Sequence, residues 1–300
     1  MQSAPNNILV RVILLCLTLS PALIAEPIKA VTWNIEWFPG GRPYAPKEER
    51  DAQIAAAKVT LEKLSPDIFL AQELGYQPAF EDLISVVPNM KLHTFSSFLG
   101  YDRKTVGPQQ CAIASTLTAD SAWFEAFEPS KGLPNLSRGF AFAALNHPDG
   151  GLIMVYSVHL KSNRGSETPE GEQDVADTRA ESVRQIIAHK AAMEKKFKDK
   201  EILGWLIGGD FNSNHDGQFP KCTAIADLVE AGFHNSWDKT PKEKRETWLS
   251  DPDPEDRKFH PTTFDYLLTI GFAEKQAILF PGFDRKSSDH APIGILLMKP

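Results

Sequence analysis

The chain has 300 residues and a formal net charge of −7 at pH 7, and 42% of its residues are hydrophobic and 24% charged. These fractions are those of an ordinary globular protein with a core of normal size. The length suits either two domains or one large α/β domain. The negative charge argues against binding to nucleic acid by bulk electrostatics, but it does not exclude an enzyme that meets phosphates through a bound cation.

The first 25 residues differ in composition from the rest of the chain. They contain one charged residue, Arg11, followed by an apolar run over residues 12–19 and by small residues up to Ala25. This pattern predicts a secretory signal peptide over residues 1–25, too short for a comfortable membrane span. Cleavage near Ala22 or Ala25 would export residues 26–300 to the periplasm or the medium. An uncleaved N-terminal anchor is the alternative.

Two cysteines, Cys111 and Cys222, follow the predicted signal. An exported protein permits a disulfide between them, and two free thiols are equally compatible with the sequence. Neither lies in a CxxC motif or a Cys/His cluster, so a structural zinc site is not expected.

Helical and strand-like patterns alternate along residues 26–300, which are predicted to form one catalytic domain. Residues 47–64 and 174–198 carry apolar side chains at helical spacing. Short apolar runs predict strands, which are DIFLAQE (67–73), CAIAS (111–115), GLIMVYSVHLKS (151–162), EILGWLIGGDFNSN (201–214), TTFDYLLTI (262–270) and HAPIGILLM (290–298). The alternation predicts an α/β domain with sheets between helical layers.

Several of the predicted strands end in polar side chains that can carry chemistry. Because strand ends present loops above a rigid sheet, such endings predict one shared site. The residues concerned are Asn34, Glu36, Gln72, Glu73, His159, Asp210 and Asn212. In VTWNIEWFPGG (31–41), the amide and the acid are two residues apart and are expected on one face of a strand.

Two motifs suggest proton transfer. In GGDFN (208–212), a carboxylate and an amide at strand spacing suit a base that takes a proton from water beside a donor. In SSDHAPI (287–293), Asp289 precedes His290, whose imidazole a carboxylate would orient and keep protonated. For each motif alone, a structural turn explains the residues equally well.

The acidic residues require partners. Asp265 interrupts an apolar strand, and burying an unpaired carboxylate is costly, so His159 is the natural candidate to pair with it. Convergence of several acids requires a cation, and the acids concerned are Glu36, Glu73, Asp210, Asp265 and Asp289. Hard oxygen ligands without a thiolate favour Mg²⁺, Mn²⁺ or Ca²⁺ over zinc.

Six motifs together resemble the endonuclease/exonuclease/phosphatase superfamily. They are WNIEW (33–37), AQE (71–73), VHLKS (158–162), GGDFN (208–212), TFDYLL (263–268) and SDHAPI (288–293). They occur in the order found in that superfamily and span essentially the whole mature chain. The resemblance implies a four-layer α/β sandwich in which two mostly antiparallel sheets face each other between helices.

The resemblance also implies which residues would bind a metal ion. Glu73 would be the principal ligand of a divalent cation, with Glu36 and Asp289 close to it. Asn34 would contact the phosphate or support Asp210. Members of the superfamily vary at the position of Glu36, and an acid there resembles the abasic-endonuclease branch.

On the catalytic side, the resemblance assigns proton transfer and phosphate contacts. Asp210 would activate the attacking water, with Asn212 beside it. His159 would hydrogen-bond the phosphate, oriented by Asp265. His290 would bind the scissile phosphate.

Basic residues complete the expected site. Arg138 and Lys161 are assigned to binding of the substrate phosphate, and Arg164 and Lys286 to contacts with other backbone phosphates. Members often continue Arg-x-Pro after the arginine, whereas Arg138 is followed by Gly139 and Phe140.

A further departure concerns the strand CAIAS. Gln109 and Gln110 precede it, where abasic endonucleases tend to carry a tyrosine and an asparagine. This departure weakens a strict abasic-site assignment.

The predicted activity is that of an exported, metal-dependent phosphodiesterase that hydrolyses nucleic acid, DNA before RNA. A sphingomyelinase-like or small-molecule phosphoesterase is the alternative, followed by a non-catalytic binding module. Mg²⁺ is the expected cofactor, with Mn²⁺ and Ca²⁺ as alternatives. The mature chain is expected to be a monomer with no transmembrane segment and no obligate protein partner. Endonucleolytic or exonucleolytic mode and the number of metals stay open.

Overall fold

The structure, a computed structural model, describes residues 26–100, 102–133, 136–249, 260–273 and 275–299. The predicted signal peptide, residues 1–25, lies outside the described residues. The α-helices of the described part are α1 (Lys47–Leu64), α2 (Gln77–Ile84), α3 (Pro169–Lys196) and α4 (Ala224–Glu230). Its strands are β1 (Ile28–Phe38), β2 (Ile68–Leu74), β3 (Lys91–Phe95), β4 (Gln110–Ser115), β5 (Ala119–Ala126), β6 (Gly139–Asn146), β7 (Leu152–His159), β8 (Ile202–Asp210), β9 (His234–Asn235), β10 (Asp265–Ile270), β11 (Ile278–Leu279) and β12 (Ile293–Leu297).

The strands form two mixed six-stranded sheets. The first has the order β11-β12-β1-β2-β4-β3, and the second has the order β5-β6-β7-β8-β10-β9. Only β1–β2 and β7–β8 are parallel among these neighbouring pairs of the described strands. The sheets face each other, α1 and α2 cover the first, and α3 and α4 cover the second. The expected α/β sandwich with mostly antiparallel sheets is confirmed.

Alternation along β1 explains how one strand serves two layers. Val31, Trp33 and Ile35 are fully buried and pack in the cluster that contains the apolar residues of α1 and α2. Ala30 belongs instead to the cluster between the sheets. Because side chains alternate between the faces of a strand, Asn34 also points towards the second sheet.

Two glycines permit close packing at the end of β8, Gly208 against the first sheet and Gly209 against the neighbouring strand β7. A Cβ atom on Gly208 would lie 2.5 Å from Leu70 Cδ1 of the first sheet. Gly209 has φ 152°, and a Cβ there would lie 1.9 Å from the carbonyl oxygen of Val158. A side chain at either position would push apart the elements that bring Asp210 to the first sheet.

Each predicted helix and strand is present in the structure, but the bounds of α3 differ and seven of the described α-helices and strands were not predicted, which are α2, α4, β3, β5, β6, β9 and β11. Helix α3 begins at Pro169, earlier than predicted, because Thr168 caps it by accepting a hydrogen bond from Gly171 N at 3.1 Å. The sequence analysis did not identify β5 or its hairpin with β6. Strand β5 is largely exposed and polar, so it lacks an apolar run.

Two further features of the described residues bear on the sequence analysis. No helix in this part of the chain has the length and apolar character that a bilayer span requires. Cys111 and Cys222 are free thiols, and Cys111 is fully buried between the sheets.

Candidate active site

The carboxyl ends of two parallel strand pairs meet at one edge of the sandwich. In the first sheet, Asn34 of β1 lies beside Gln72 of β2. In the second sheet, His159 of β7 lies beside Asp210 of β8, and Asp265 at the start of β10 lies opposite Asp210. The polar residues predicted at strand ends therefore do converge, because both parallel pairs end at the same edge.

The side-chain amide of Asn34 joins the two sheets. Its Nδ2 donates to Asp210 Oδ2 at 2.9 Å and to Glu73 Oε1 at 3.2 Å. Asn34 is fully buried and Asp210 almost so. A hydrogen bond to a buried carboxylate is stronger than one in water, so this amide holds the two acids at a set separation.

Strand β1 ends in left-handed backbone, where Glu36 has φ 36° and Trp37 has φ 49°. The alternation that predicted Asn34 and Glu36 on one face stops there. The turned backbone directs Glu36 N to Asn34 Oδ1 at 3.0 Å and Trp37 N to Glu73 Oε2 at 3.0 Å. Non-glycine residues in this region carry strain, which recurs at functional sites.

Glu36 and Asp289 lie together on the metal side predicted from the sequence. Asp289 N donates to Glu36 Oε2 at 3.1 Å, and Trp248 Nε1 donates to Asp289 Oδ2 at 2.8 Å. Burial, together with repulsion from Asp289 and Glu73, raises the pKa of Glu36 to about 7. Neighbouring acids thus oppose each other's ionisation.

The donor set fits a hard divalent cation. Glu36, Glu73 and Asp289 form no ion pair with lysine or arginine within the described residues. Clustered carboxylates without a basic partner are the ligands that Mg²⁺, Mn²⁺ and Ca²⁺ prefer. The residues present therefore match the cation expected from the sequence.

A second grouping shares Glu73. Ligand atoms of Glu73, His159 and Asp210 all lie within 4.8 Å of one another. Asp210, however, already accepts three hydrogen bonds, two from Asn212 and one from Asn34. A hard cation also prefers oxygen to imidazole nitrogen, and Glu73 accepts only two hydrogen bonds from the residues that the structure describes, so within this group Glu73 is the carboxylate most open to a cation.

Asp265 holds His290 rather than His159. His290 Nδ1 lies 2.8 Å from Asp265 Oδ2, whereas His159 Nε2 lies 3.5 Å from Asp210 Oδ2 and 3.7 Å from Glu73 Oε1. The expected pairing of His159 with Asp265 is therefore wrong. The first residue of β10 faces the loop that precedes β12, and that loop supplies the imidazole.

The two histidines differ in charge. Burial opposes protonation of His290, but the carboxylates of Asp265, Asp289 and Asp210 outweigh it and raise its pKa well above the usual value. Burial, with Arg138 and His290 nearby, lowers the pKa of His159 well below the usual value. The site therefore combines a protonated and a neutral imidazole at neutral pH.

The surroundings of Asp210 suit a general base. Burial raises its pKa to about 7, the positive charge of His290 lowers it, and Asp265 raises it. Asn212 donates through its backbone N to Asp210 Oδ1 at 2.8 Å and through Nδ2 to Oδ2 at 3.1 Å. A carboxylate with a pKa near the working pH suits general base catalysis.

The predicted phosphate-binding cations contact the same segment of backbone. Arg138 Nη1 donates to Leu160 O at 3.0 Å, and Nη2 donates to Gln109 Oε1 at 2.7 Å. Lys161 Nζ donates to Ser162 O at 2.9 Å. Arg138 Nη1 also donates to His159 O at 3.3 Å, so both side chains hold backbone carbonyls of residues 159–164.

Close packing against the neighbouring strand excludes any side chain at Gly139, which follows Arg138. A Cβ on Gly139 would lie 1.8 Å from Glu125 O of the paired strand β5. The departure from the Arg-x-Pro pattern lies at the next residue, Phe140, which is buried in β6 between β5 and β7, where proline is disfavoured.

The sequence analysis did not identify two residues, Thr247 and Ser288, whose hydrogen bonds hold the segment around His290. Thr247 Oγ1 accepts a hydrogen bond from Asp265 N at 3.0 Å. Ser288 Oγ donates to Asn34 O at 2.7 Å and accepts from His290 N at 2.9 Å. The position of Ser288 next to Asp289 was a usable signal, whereas nothing in the sequence around Thr247 marks it.

The comparisons with known proteins rest on structure. No protein-family model matches the sequence, and no curated protein matches it. An endonuclease/exonuclease/phosphatase from Beutenbergia cavernae aligns with TM-score 0.63 and 16% identity over 91% of this chain and 72% of that one. The human Nocturnin catalytic domain with bound sulfate aligns with TM-score 0.63 and 17% identity over 93% and 95% of the chains.

A third similar structure is a mannosyl-6-phosphatase from Bacteroides thetaiotaomicron. It aligns with TM-score 0.60 and 15% identity over 90% of this chain and 100% of that one. At these identities the likeness concerns the fold, which the six sequence motifs had indicated independently. The chain has the fold of the endonuclease/exonuclease/phosphatase superfamily.

Proposed function

We propose that the protein is a metal-dependent phosphoesterase in which Asp210 takes a proton from the attacking water. One observation carries this proposal: the amide of Asn34 holds Asp210 and Glu73 together across the two sheets. A purely structural role does not require two buried acids and two histidines at one solvent-facing edge, because unpaired buried charge is costly.

A divalent cation would be held by Glu73, with Glu36 and Asp289 beside it. When bound, it would offset negative charge on the phosphate oxygens. Burial and repulsion from Asp289 and Glu73 raise the pKa of Glu36, and a bound cation would compensate the charge of these carboxylates.

The chain supplies its own donors for the phosphate. Protonated His290 and neutral His159 flank Asp210, at 4.0 Å and 3.5 Å from Asp210 Oδ2. Asp265 fixes the imidazole of His290 through Nδ1 and leaves Nε2 free to donate. Donors placed before the reaction stabilise charge that develops in the transition state. Asn212, whose Nδ2 lies beside Asp210, would donate to the same oxygens.

We propose nucleic acid as the substrate, DNA before RNA. Arg138, which donates to His159 O, and Lys161, which donates to Arg164 O, would contact the substrate phosphate, with Arg164 beside them. The net charge of −7 makes tight non-specific binding to duplex DNA unfavourable, so the enzyme would act at low affinity, as a monomer.

A small phosphoester is the second candidate substrate. The Bacteroides thetaiotaomicron structure of the same fold is described as a mannosyl-6-phosphatase. A sphingomyelinase-like activity on a phospholipid is the remaining option of this class.

Three parallel assays test the reaction and the substrate. Wild-type protein is tested on supercoiled plasmid, sphingomyelin and p-nitrophenyl phosphate, with Mg²⁺ or with EDTA. We expect Mg²⁺-dependent nicking that Asp210→Asn reduces by at least about 10²–10³-fold. Asp177→Asn, on the exposed face of α3, is the matched control and should keep full activity.

The outcomes separate the candidates. Hydrolysis of only sphingomyelin or p-nitrophenyl phosphate would replace the nuclease with the second candidate. Near-wild-type hydrolysis by Asp210→Asn would contradict the assigned base. No hydrolysis of any substrate would favour a binding module.

Export is proposed separately from catalysis. Expression of the full chain in a bacterial host, followed by mass spectrometry of the periplasmic fraction, would locate the mature N-terminus. We expect it after Ala22 or Ala25. Retention of residues 1–25 on the membrane fraction would indicate an uncleaved anchor.

A further inference from the structure

Gln53, on the second turn of α1, connects three separate segments beside the candidate active site. Its side chain is 3% exposed. Nε2 lies 3.0 Å from Ile35 O, 2.9 Å from Glu36 O and 2.9 Å from Ser287 O. Oε1 accepts hydrogen bonds from Gly40 N and, at 3.2 Å, from Gly41 N.

These contacts use the whole hydrogen-bonding capacity of the amide. Three carbonyl oxygens surround the nitrogen and two N–H groups face the oxygen, so only one orientation of the amide is compatible with the site. A carboxylate of the same shape would keep the two accepted hydrogen bonds and lose every donated one. A buried amide with five partners is a specific structural choice, since unpaired buried polar groups are costly.

The segments that Gln53 joins carry two of the proposed cation ligands. Residues 35 and 36 lie near the end of β1 and include Glu36, while Ser287 lies two residues before Asp289. The ladder between β1 and β12 ends at Thr32 and Ile293, so strand pairing no longer holds these segments together. Beyond that point four side-chain contacts connect them: Asp289 N to Glu36 Oε2, Ser288 Oγ to Asn34 O, Trp33 Nε1 to His290 O, and the amide of Gln53, which alone joins the backbone carbonyls of both segments.

The two acids would otherwise move apart. When both are ionised, as cation binding requires, the carboxylates of Glu36 and Asp289 repel each other strongly where water is scarce. A cation gains most from carboxylates that are already in place when it arrives, because less ordering is left to be done on binding.

We propose that Gln53 is a positioning residue that sets the separation of the Glu36 and Asp289 carboxylates and thereby the affinity of the site for a divalent cation. This inference rests on the proposed metal-dependent function. Gln53 would not touch the cation or the substrate. Its effect reaches the site through the backbone of residues 35–36 and 287.

Gln53→Glu tests the proposal because two explanations predict opposite results. If only charge mattered, an added carboxylate near the site would tighten Mn²⁺ binding. If position matters, the lost hydrogen bonds weaken it. Partners behind metal ligands typically change metal affinity by about 10–100-fold, so we expect Mn²⁺ binding to weaken at least about 10-fold by calorimetry.

The matched control is Asn235→Asp in β9. Asn235 is also a buried amide, 1% exposed, and its side chain bonds to Trp237 N at 3.0 Å rather than to the segments that carry Glu36 and Asp289. It should lose stability through the same amide-to-acid change and keep the wild-type Mn²⁺ affinity within about twofold. Thermal unfolding in EDTA measures the stability of each variant without metal.

A second readout uses catalysis. Raising the Mn²⁺ concentration should restore the rate of Gln53→Glu towards the wild-type value, but should not restore Asp210→Asn. If Gln53→Glu does not fold, Gln53→Met removes the same hydrogen bonds without adding charge, and the same loss of affinity is expected.

The outcomes separate this inference from the proposed function. Wild-type binding of Mn²⁺ with unchanged or tighter binding by the Gln53 variants would overturn the role of Gln53 alone. No binding of Mn²⁺ by the wild-type protein would overturn the proposed cation site and this inference with it.

Discussion

Asn34 and Asp210 belong to different sheets, and the amide of one donates to the carboxylate of the other at 2.9 Å. The same amide reaches Glu73 at 3.2 Å, so the proposed base and the proposed principal metal ligand share one donor. The alignment of the two sheets therefore determines the geometry of the site. Any change that separates the sheets at this edge should affect catalysis before it affects folding.

Asn34→Ala should lower kcat by about 10²-fold or more, because Asp210 and Glu73 lose a common donor and would repel each other. Steady-state kinetics on the preferred substrate measures this. Asn146→Ala, which removes a surface amide bonded to Thr118, is the control and should leave kcat unchanged. A loss of less than about threefold in Asn34→Ala would show that the bridge is not needed for the reaction.

Asp265→Asn should lower the pKa of His290, since the carboxylate that stabilises the imidazolium is replaced by a neutral amide. NMR titration of the imidazole checks the pKa directly. We expect kcat at neutral pH to fall on the order of 10²–10³-fold, because His290 would no longer present a charged donor. An unchanged titration of His290 would indicate that its neighbours Asp289 and Asp210 suffice.

Glu36→Gln should weaken Mg²⁺ and Mn²⁺ binding by about 10-fold or more, since it removes one of three clustered carboxylates. Calorimetry on the folded protein measures the change without recourse to activity. Such a loss favours the abasic-endonuclease pattern. Equal affinities of Glu36→Gln and wild type would instead make Glu36 a rim carboxylate and leave Glu73 to hold the cation without it.

His189, which lies outside the candidate site, makes the stability of the protein depend on pH. Its Nδ1 lies 2.9 Å from the hydroxyl of Tyr156, and its Nε2 lies 3.3 Å from Glu125 Oε1. Burial lowers the pKa of His189 below its ordinary value of 6.5, although Glu125 partly offsets this. The unfolded chain therefore binds this proton more readily, and the contribution of His189 to stability falls as pH drops below about 6.5.

The difference between wild type and His189→Gln isolates that contribution. We expect the stability advantage of wild type, measured by denaturant unfolding, to be larger at pH 7.5 than at pH 5.5. A constant difference across this range would contradict the lowered pKa of His189.

Gly209→Ala should destabilise the protein by about 3 kcal/mol or more. The new Cβ would meet Val158 O at 1.9 Å, and the φ of 152° is a conformation that alanine avoids. Gly282→Ala is the matched control, because nothing lies within 4 Å of its Cβ position. Denaturant unfolding compares the two, and a similar small effect of both would show that the strands relax around Gly209.

Much of the fold was predictable because local patterns specify local structure. The apolar spacing of residues 47–64 predicted α1 with its observed bounds, and the apolar runs before Glu73, His159 and Asp210 predicted three strands of the sandwich. Strand β5 could not be predicted in this way. Its largely exposed, polar residues are held by pairing with β6, and that pairing is a tertiary contact.

The sequence alone shows which groups are available: five acids, two histidines and three amides at or near the ends of strands, together with the glycines that permit close packing. The tertiary structure determines which of these acids, histidines and amides contact one another. Asp265 meets His290 rather than His159, and Gln53 reaches three segments from a helix. The physical reason is that side-chain partners depend on how the two sheets and the connecting loops stack, and this stacking is specified by packing over the whole core rather than by spacing along the chain.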